Sequence, residues 1–190
     1  EAIRTGLAMG ADKGVLIDPA GAPLDGLATA KALAAALKGM PYDLIIAGHR
    51  AVDDDNFQVG PAVAELLGIA NISMVIKQEI ADGAIRCQCT VEGGTVEISA
   101  ALPVLISTQR GLNDPRYASL PGIMKAKKKP LDTKALADLG LDAAALAPKV
   151  VVKALRTPPE RKGGRMIEGE SVQAKVGELV RALHEEAKVI

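Results

Sequence analysis

Apolar residues come in short blocks in the first third of the chain, at helical spacing in some blocks and as continuous runs in others. Ala2 to Met9 reads as the last turns of a helix stopped by Gly10, and Gly14-Val15-Leu16-Ile17 reads as a short buried strand. Asp25 is placed to cap a helix whose apolar stripe is Leu27, Ala30, Leu33, Ala34 and Leu37. Gly39 stops that helix, and Asp43 to Ala47 is the next strand. Helices alternating with strands predict a mainly parallel sheet flanked by helices, an α/β fold.

From Asn71 the pattern changes. Ile72 to Ile80, Ala84 to Val91 and Thr95 to Ala101 are rich in strand formers. Ala81-Asp82-Gly83 and Glu92-Gly93-Gly94 separate them, which predicts an antiparallel hairpin extension of the sheet. Pro103 to Ser107 is a further buried strand that delivers the following loop to a sheet edge. Beyond Pro130 the prolines at 148, 158 and 159 and the Gly163-Gly164 pair predict a tail that wraps rather than building its own core. Ser171 caps a final helix with Val172, Val176, Leu179, Val180 and Leu183 along one face.

Composition narrows the function classes. The chain has 190 residues and is 48% hydrophobic, enough for one real core. Its 23 basic and 23 acidic residues cancel, so no overall field draws it to nucleic acid, and no apolar stretch is long enough to predict membrane insertion. Cys87 and Cys89 would share one face of a strand with no second pair to complete a zinc site, and they read as free thiols in a reducing compartment. His49 and His184 have no partner at ligand spacing, so no metal site is expected, and no Ser-His-Asp or Cys-His arrangement suggests a catalytic residue. With no Trp, two Tyr and one Phe, a flavin or base pocket made by this chain alone would need aliphatic walls or groups borrowed from elsewhere.

Two segments carry candidate chemistry. The first follows the strand Asp43 to Ala47 and runs Gly48-His49-Arg50-Ala51-Val52-Asp53-Asp54-Asp55-Asn56-Phe57-Gln58-Val59-Gly60-Pro61 into an apolar helix from Ala62 to Leu67. Gly48 would let the backbone turn at the carboxyl end of the strand. Gly60-Pro61 would put free amides at a helix N-terminus, where an anion such as phosphate is favoured. The crevice beyond the carboxyl ends of the strands is the usual ligand site in open α/β sheets. Asp53, Asp54 and Asp55 oppose a phosphate unless their carboxylates turn away or hold amides or a ribose; an acidic loop that merely complements the helix dipole is the simpler alternative. The second segment is Pro115 to Pro130. Leu120, Ile123 and Met124 offer an apolar anchor, and Lys125, Lys127, Lys128 and Lys129 surround it with positive charge, which is the anatomy of a docking surface. Without a partner, the same pattern is a short amphipathic helix followed by a solvated lysine run.

The second segment closely resembles the recognition loop of the electron transfer flavoprotein β subunit, which runs Pro-Arg-Tyr-Ala-(Ser/Thr)-Leu-Pro-x-Ile-Met-Lys-Ala-Lys-Lys-Lys. The resemblance extends through Ala8 to Lys13, Asp43 to Gly60, Leu102-Pro103-Val104 and Asn113-Asp114-Pro115. It implies a Rossmann-like, adenine-nucleotide-binding fold and a heterodimer with an α subunit that holds most of the redox FAD. This would be an electron carrier rather than an enzyme, reduced by flavin-linked dehydrogenases such as acyl-CoA dehydrogenases and oxidised by a quinone-linked oxidoreductase or similar acceptor. It also implies docking through Arg116, Tyr117, Leu120, Pro121, Ile123, Met124 and the four lysines. Location would be cytoplasmic, or the mitochondrial matrix in a eukaryote.

In the family the first segment reads Gly-Lys-Gln-Ala-Ile-Asp-x-Asp and lines an adenine nucleotide; here Gly48, Ala51, Asp53, Asp55, Gln58 and Gly60 agree with the pattern. The family's common Asn-Gln-Thr at the phosphate is Phe57-Gln58-Val59 in this chain, leaving Gln58 and backbone amides as the phosphate contacts. AMP is the expected ligand. Gln58-Val59-Gly60-Pro61 is also similar to electron-bifurcating members that hold a second FAD there, and a nucleotide-sensing α/β module remains a third reading. The expected organisation is an N-terminally incomplete nucleotide-binding domain over 1–130, with the recognition loop at 108–130, and a wrapping tail with its helix over 131–190. Relative to the family, about sixty residues are expected ahead of Glu1.

Overall fold

A computed structural model describes residues 1–142, 144–160 and 163–190, which divide into two units, Glu1–Val151 and Val152–Ile190. The first unit begins with helix α1 (Ala2–Ala8), strand β1 (Gly14–Asp18), helix α2 (Gly26–Lys38), strand β2 (Leu44–Gly48) and helix α3 (Val59–Leu67). Strands β3 (Ala70–Ala81), β4 (Ala84–Val91), β5 (Gly94–Ala101) and β6 (Val104–Thr108) follow. Helix α4 (Leu120–Ala126), strand β7 (Leu131–Ala135) and a 3₁₀ turn at Ala137–Leu139 come next.

The larger sheet has the order β2-β6-β3-β4-β5. Its β2-β6 and β6-β3 pairs are parallel, and β3-β4 and β4-β5 are antiparallel, giving the α/β sheet with a hairpin extension that the sequence predicts. Asp82 and Gly83 both adopt positive φ, the conformation that a tight hairpin turn demands and that Asp-Gly supplies at low cost. Strand β6 lies between two parallel neighbours and is covered on both faces. Val104 and Ile106 join Ile72, Val75, Ile85, Cys87 and Cys89 in one cluster, while Leu105 faces Ala30, Val63 and Ala64 in the other. This is why Val104 to Ile106 is an unbroken apolar run. Each fully buried Leu or Ile in it contributes roughly 1.5–3 kcal/mol over the exposed state.

The structure departs from the sequence reading in three places. Strand β1 does not join the larger sheet; it pairs in parallel with β7, a strand the periodicity gives no sign of. Leu131-Asp132-Thr133-Lys134-Ala135 has too few apolar residues to read as a strand, and its hydrogen bonds come from a partner far away in sequence. Helix α2 buries Ala28, Ala30, Ala32, Ala34 and Ala36, whereas Leu27 and Leu33 are exposed at its margins. Small side chains let α2 lie close to α3 and to the 137–139 turn. Helix α3 starts at Val59, so Gly60 and Pro61 lie inside its first turn, where proline is tolerated.

The first unit reaches Val151 because the chain after β7 is tied back onto α2. Asp25 caps α2 by accepting from the Ala28 amide at 2.8 Å, and its other carboxylate oxygen accepts from the amides of Lys149 and Val150. Lys31 donates to the Ala145 carbonyl at 2.9 Å. These backbone donors, Ala28 first, hold the Asp25 carboxyl below the usual aspartate range. In the second unit, Ser171 caps helix α5 (Val172–Arg181) through the Ala174 amide as the sequence predicts, and a π turn (Ala182–Glu186) continues it. Arg165 and Glu186 make a bidentate pair at 3.2 Å. No described helix is long and apolar enough to cross a membrane.

Candidate functional site

The loop from Gly48 to Gln58 leaves the carboxyl end of β2 beside the end of β6, where Thr108 donates to the Ala47 carbonyl at 3.4 Å, and enters α3. Gly48 does not make the turn: its φ is ordinary and a Cβ there would meet open space. The turns fall instead on Asp55 and Phe57, with φ of 52° and 56°, a conformation uncommon for aspartate and rare for a bulky aromatic residue. Local contacts hold these turns. The edge of one ring meets the face of the other where His49 and Phe57 pack, with centroids 4.5 Å apart, and the Arg50 guanidinium lies 5.4 Å from the Phe57 centroid. Arg50 also pairs with Asp55 at 2.5 Å, and the Asp55 amide donates to the Ala51 carbonyl at 3.0 Å.

The three aspartates are therefore not equivalent. Asp53 accepts from the Asp54 amide at 2.9 Å and Asp55 is neutralised by Arg50, which reduces the repulsion an incoming anion would feel. At the start of α3 no side chain caps the first turn. The Gln58 side chain lies instead against Gly26 at the start of α2, with its Oε1 3.0 Å from where a Cβ of Gly26 would stand. The Val59 and Gly60 amides are among those an α-helix leaves without internal partners, and no side chain caps them. Gly60 itself is buried over Ala47 and Leu105, so the helix start is packed directly on the sheet. Ala51, Val52, Asp54 and Asn56 are exposed around this rim.

The second candidate segment is not a plain loop. Ser119 accepts from the Gly122 amide at 3.1 Å and caps α4, with Pro121 in the first turn; Lys127 to Lys129 continue as a turn after it. Tyr117, Leu120 and Met124 are 98%, 79% and 70% exposed, and Ile123 and Pro121 are also on the surface, so the apolar anchor is uncovered. Lys125, Lys127 and Lys128 are exposed as well. Arg116 lies beside Gly10, its guanidinium 3.7 Å from where a Cβ of Gly10 would stand.

Lys129 is placed differently: half-buried, it donates to the Leu7 carbonyl at 3.0 Å and the Ala11 carbonyl at 2.6 Å. Arg4 donates to the Ala126 carbonyl at 2.6 Å and the Lys129 carbonyl at 3.1 Å. The sequence reading misses Arg4 and Gly122 altogether; the one available signal was a glycine inside a short helix, where alanine is the better helix former. A cleft of about 450 Å³ opens between α1 and α4, lined by Glu1, Arg4, Thr5, Ala8, Ala118, Ile123, Ala126 and Lys127. The two thiols, Cys87 and Cys89, are free and buried on β4. Burial pushes both thiols up in pKa, and the neighbouring Cys89 adds to the effect on Cys87. Among the described residues no group of His, Cys, Asp and Glu is placed to hold a metal ion.

Residues 1–139 match the model of the electron transfer flavoprotein domain. The chain is 44% identical over 192 residues to electron transfer flavoprotein subunit beta of Bacillus subtilis, an alignment covering 99% of this chain and 74% of that relative. It is 45% identical over 170 residues to the subunit of the same name from Syntrophomonas wolfei, with 90% and 64% covered, and 36% identical over 185 residues to that of Homo sapiens, with 95% and 71% covered. With the match running through both the loop after β2 and the segment around α4, this chain belongs to the electron transfer flavoprotein β-subunit family.

Proposed function

We propose that this chain works as one half of a heterodimeric electron carrier. It binds a nucleotide at the loop after β2 and presents α4 to the flavin-linked dehydrogenases that reduce the carrier. The observation that carries this reading is the uncovered apolar anchor, Leu120 and Met124, on a capped helix with lysines at its exit. A surface of that kind fits a short-lived complex, with an apolar centre and charges that speed encounter. The redox FAD would sit mostly on an α subunit, and a quinone-linked oxidoreductase or comparable acceptor would take the electrons. Flavin supplies the electron-transfer chemistry when bound; this chain's share is binding and orientation.

AMP fits the loop. Its phosphate would take the free amides of Val59 and Gly60 with Gln58 beside them, and the pairing of Asp55 with Arg50 lowers the cost of bringing an anion there. Val59 replaces a hydroxyl residue common in the family, and Gln58-Val59-Gly60-Pro61 is similar to bifurcating members, which favours a second reading in which the loop holds a second FAD. The nucleotides released on denaturing the full heterodimer separate these readings. One FAD with one AMP supports the ordinary carrier, and two FAD support bifurcation. A colourless protein would instead favour a nucleotide-sensing module. Docking is tested by Leu120→Ala, expected to slow electron transfer from an acyl-CoA dehydrogenase with FAD retained; loss of FAD in that variant would contradict an anchor role.

A further inference from the structure

Arg4 and Lys129 reach across the α1–α4 interface in opposite directions. The Arg4 guanidinium satisfies the carbonyls of Ala126 and Lys129 at the end of α4, and the Lys129 ammonium satisfies those of Leu7 and Ala11 at the end of α1. Each cation thus occupies the C-terminal end of the other's segment, where carbonyls with spare acceptor capacity and the helix dipole favour positive charge; Leu7 and Ala126 each also accept one long backbone bond, from Gly10 at 3.4 Å and Lys129 at 3.3 Å. Between the two contacts Gly122 lies against α1 so closely that a Cβ would stand 2.5 Å from the Ala8 carbonyl oxygen. A seven-residue helix has little stability of its own, so its orientation depends on what it leans on.

We propose that Arg4 and Lys129 are positioning residues for partner docking, a reciprocal clamp that fixes the angle at which α4 presents Leu120 and Met124. This rests on the reading of α4 as the docking helix and divides the lysine run by role. Lys125, Lys127 and Lys128 face solvent and steer partners, whereas Lys129 has its donors turned into the protein. Preorganisation of this kind acts on encounter with the partner and leaves the flavin alone.

The test uses the full heterodimer with an acyl-CoA dehydrogenase as donor, comparing Arg4→Met, Lys129→Met, Arg4→Lys, Lys125→Gln and Leu120→Ala. Arg4→Met and Lys129→Met are expected to speed amide hydrogen exchange across 123–126 and to raise the KM for the carrier about tenfold with kcat unchanged. The ionic-strength dependence of KM stays close to that of the unmodified protein in both, and Arg4→Lys, which keeps a cation, restores most of the affinity. Lys125→Gln does the reverse, flattening the ionic-strength dependence with exchange unchanged. The clamp is overturned if exchange in α4 is unmoved in Arg4→Met, or if Lys129→Met merely flattens the ionic-strength dependence as Lys125→Gln does. It is also overturned if exchange quickens in both clamp variants while KM holds and Leu120→Ala still raises it. A KM unmoved by Leu120→Ala removes the docking reading and with it the role given to the clamp. Exchange in Arg4→Met still reports whether the clamp itself exists, so the two failures can be told apart.

Discussion

The loop after β2 and the segment around α4 are both exposed, polar-rimmed and central to the proposed function, yet they are held in opposite ways. Apart from Gln58, which lies against Gly26, the loop is shaped by contacts within it: Arg50 with Asp55, Asp53 with the next amide, His49 with Phe57. Helix α4 has a local cap in Ser119, but its seat on the protein is set by Arg4 and by carbonyls of α1 more than a hundred residues earlier. A locally held element can be changed by substitutions inside it with little effect elsewhere. An element held from a distance transmits changes made far from the surface it presents.

The sharpest way to break the second arrangement is a single methyl group. Gly122→Ala places a carbon against the Ala8 carbonyl, and the expected loss is about 2 kcal/mol despite the better helix propensity of alanine. Gly6→Ala on α1, where a Cβ meets nothing, is expected to stabilise by up to about 1 kcal/mol. Denaturant unfolding of the two variants, side by side, checks both the sign and the gap between them. Ser119→Ala removes the cap of α4 and should cost about 1 kcal/mol in the same assay. Phe57→Ala, by contrast, should change global stability by less than about 1 kcal/mol, because the ring is partly exposed and its partners lie within the loop. Its effect should appear as less nucleotide per heterodimer, measured by chromatography of the released ligand.

The smallest effect concerns the chain that follows β7. Because backbone donors lower the Asp25 pKa in the folded state, its contribution is complete above the usual aspartate range and is lost as pH falls through the lower folded value. Asp25→Ala should lose the contact at every pH. Digestion with an acid-active protease should therefore cut near Lys149 in the unmodified protein only at the acid end of a pH series, and throughout the series in the variant.

Much of the fold was legible because strong local rules applied. Val104 to Ile106 reads as an interior strand, Asp82-Gly83 reads as a tight turn, and Asp25 and Ser171 are caps in the sequence and in the structure. Strand β7 was not legible, since its pairing with β1 is decided by backbone hydrogen bonds that carry no side-chain signature. At the loop, position was legible but conformation was not. Gly48 drew attention as the obvious turn residue, while the left-handed turns fall on Asp55 and Phe57, whose side chains offset the unfavourable backbone through Arg50 and His49. The clamp was hidden for a further reason: Arg4 and Lys129 are aimed at carbonyls, and every residue has one, so nothing in the sequence marks the target.

Cys87 and Cys89, sealed in the middle of the antiparallel extension, give this protein a built-in clock. A small disulfide reagent cannot reach either sulfur until β4 parts from its neighbours, so the delay before labelling measures how often that sheet opens. The readout needs no added dye and no flavin signal. Timing it with and without added AMP, and again with the proposed α subunit, tests whether either one steadies a part of the molecule that neither has to touch.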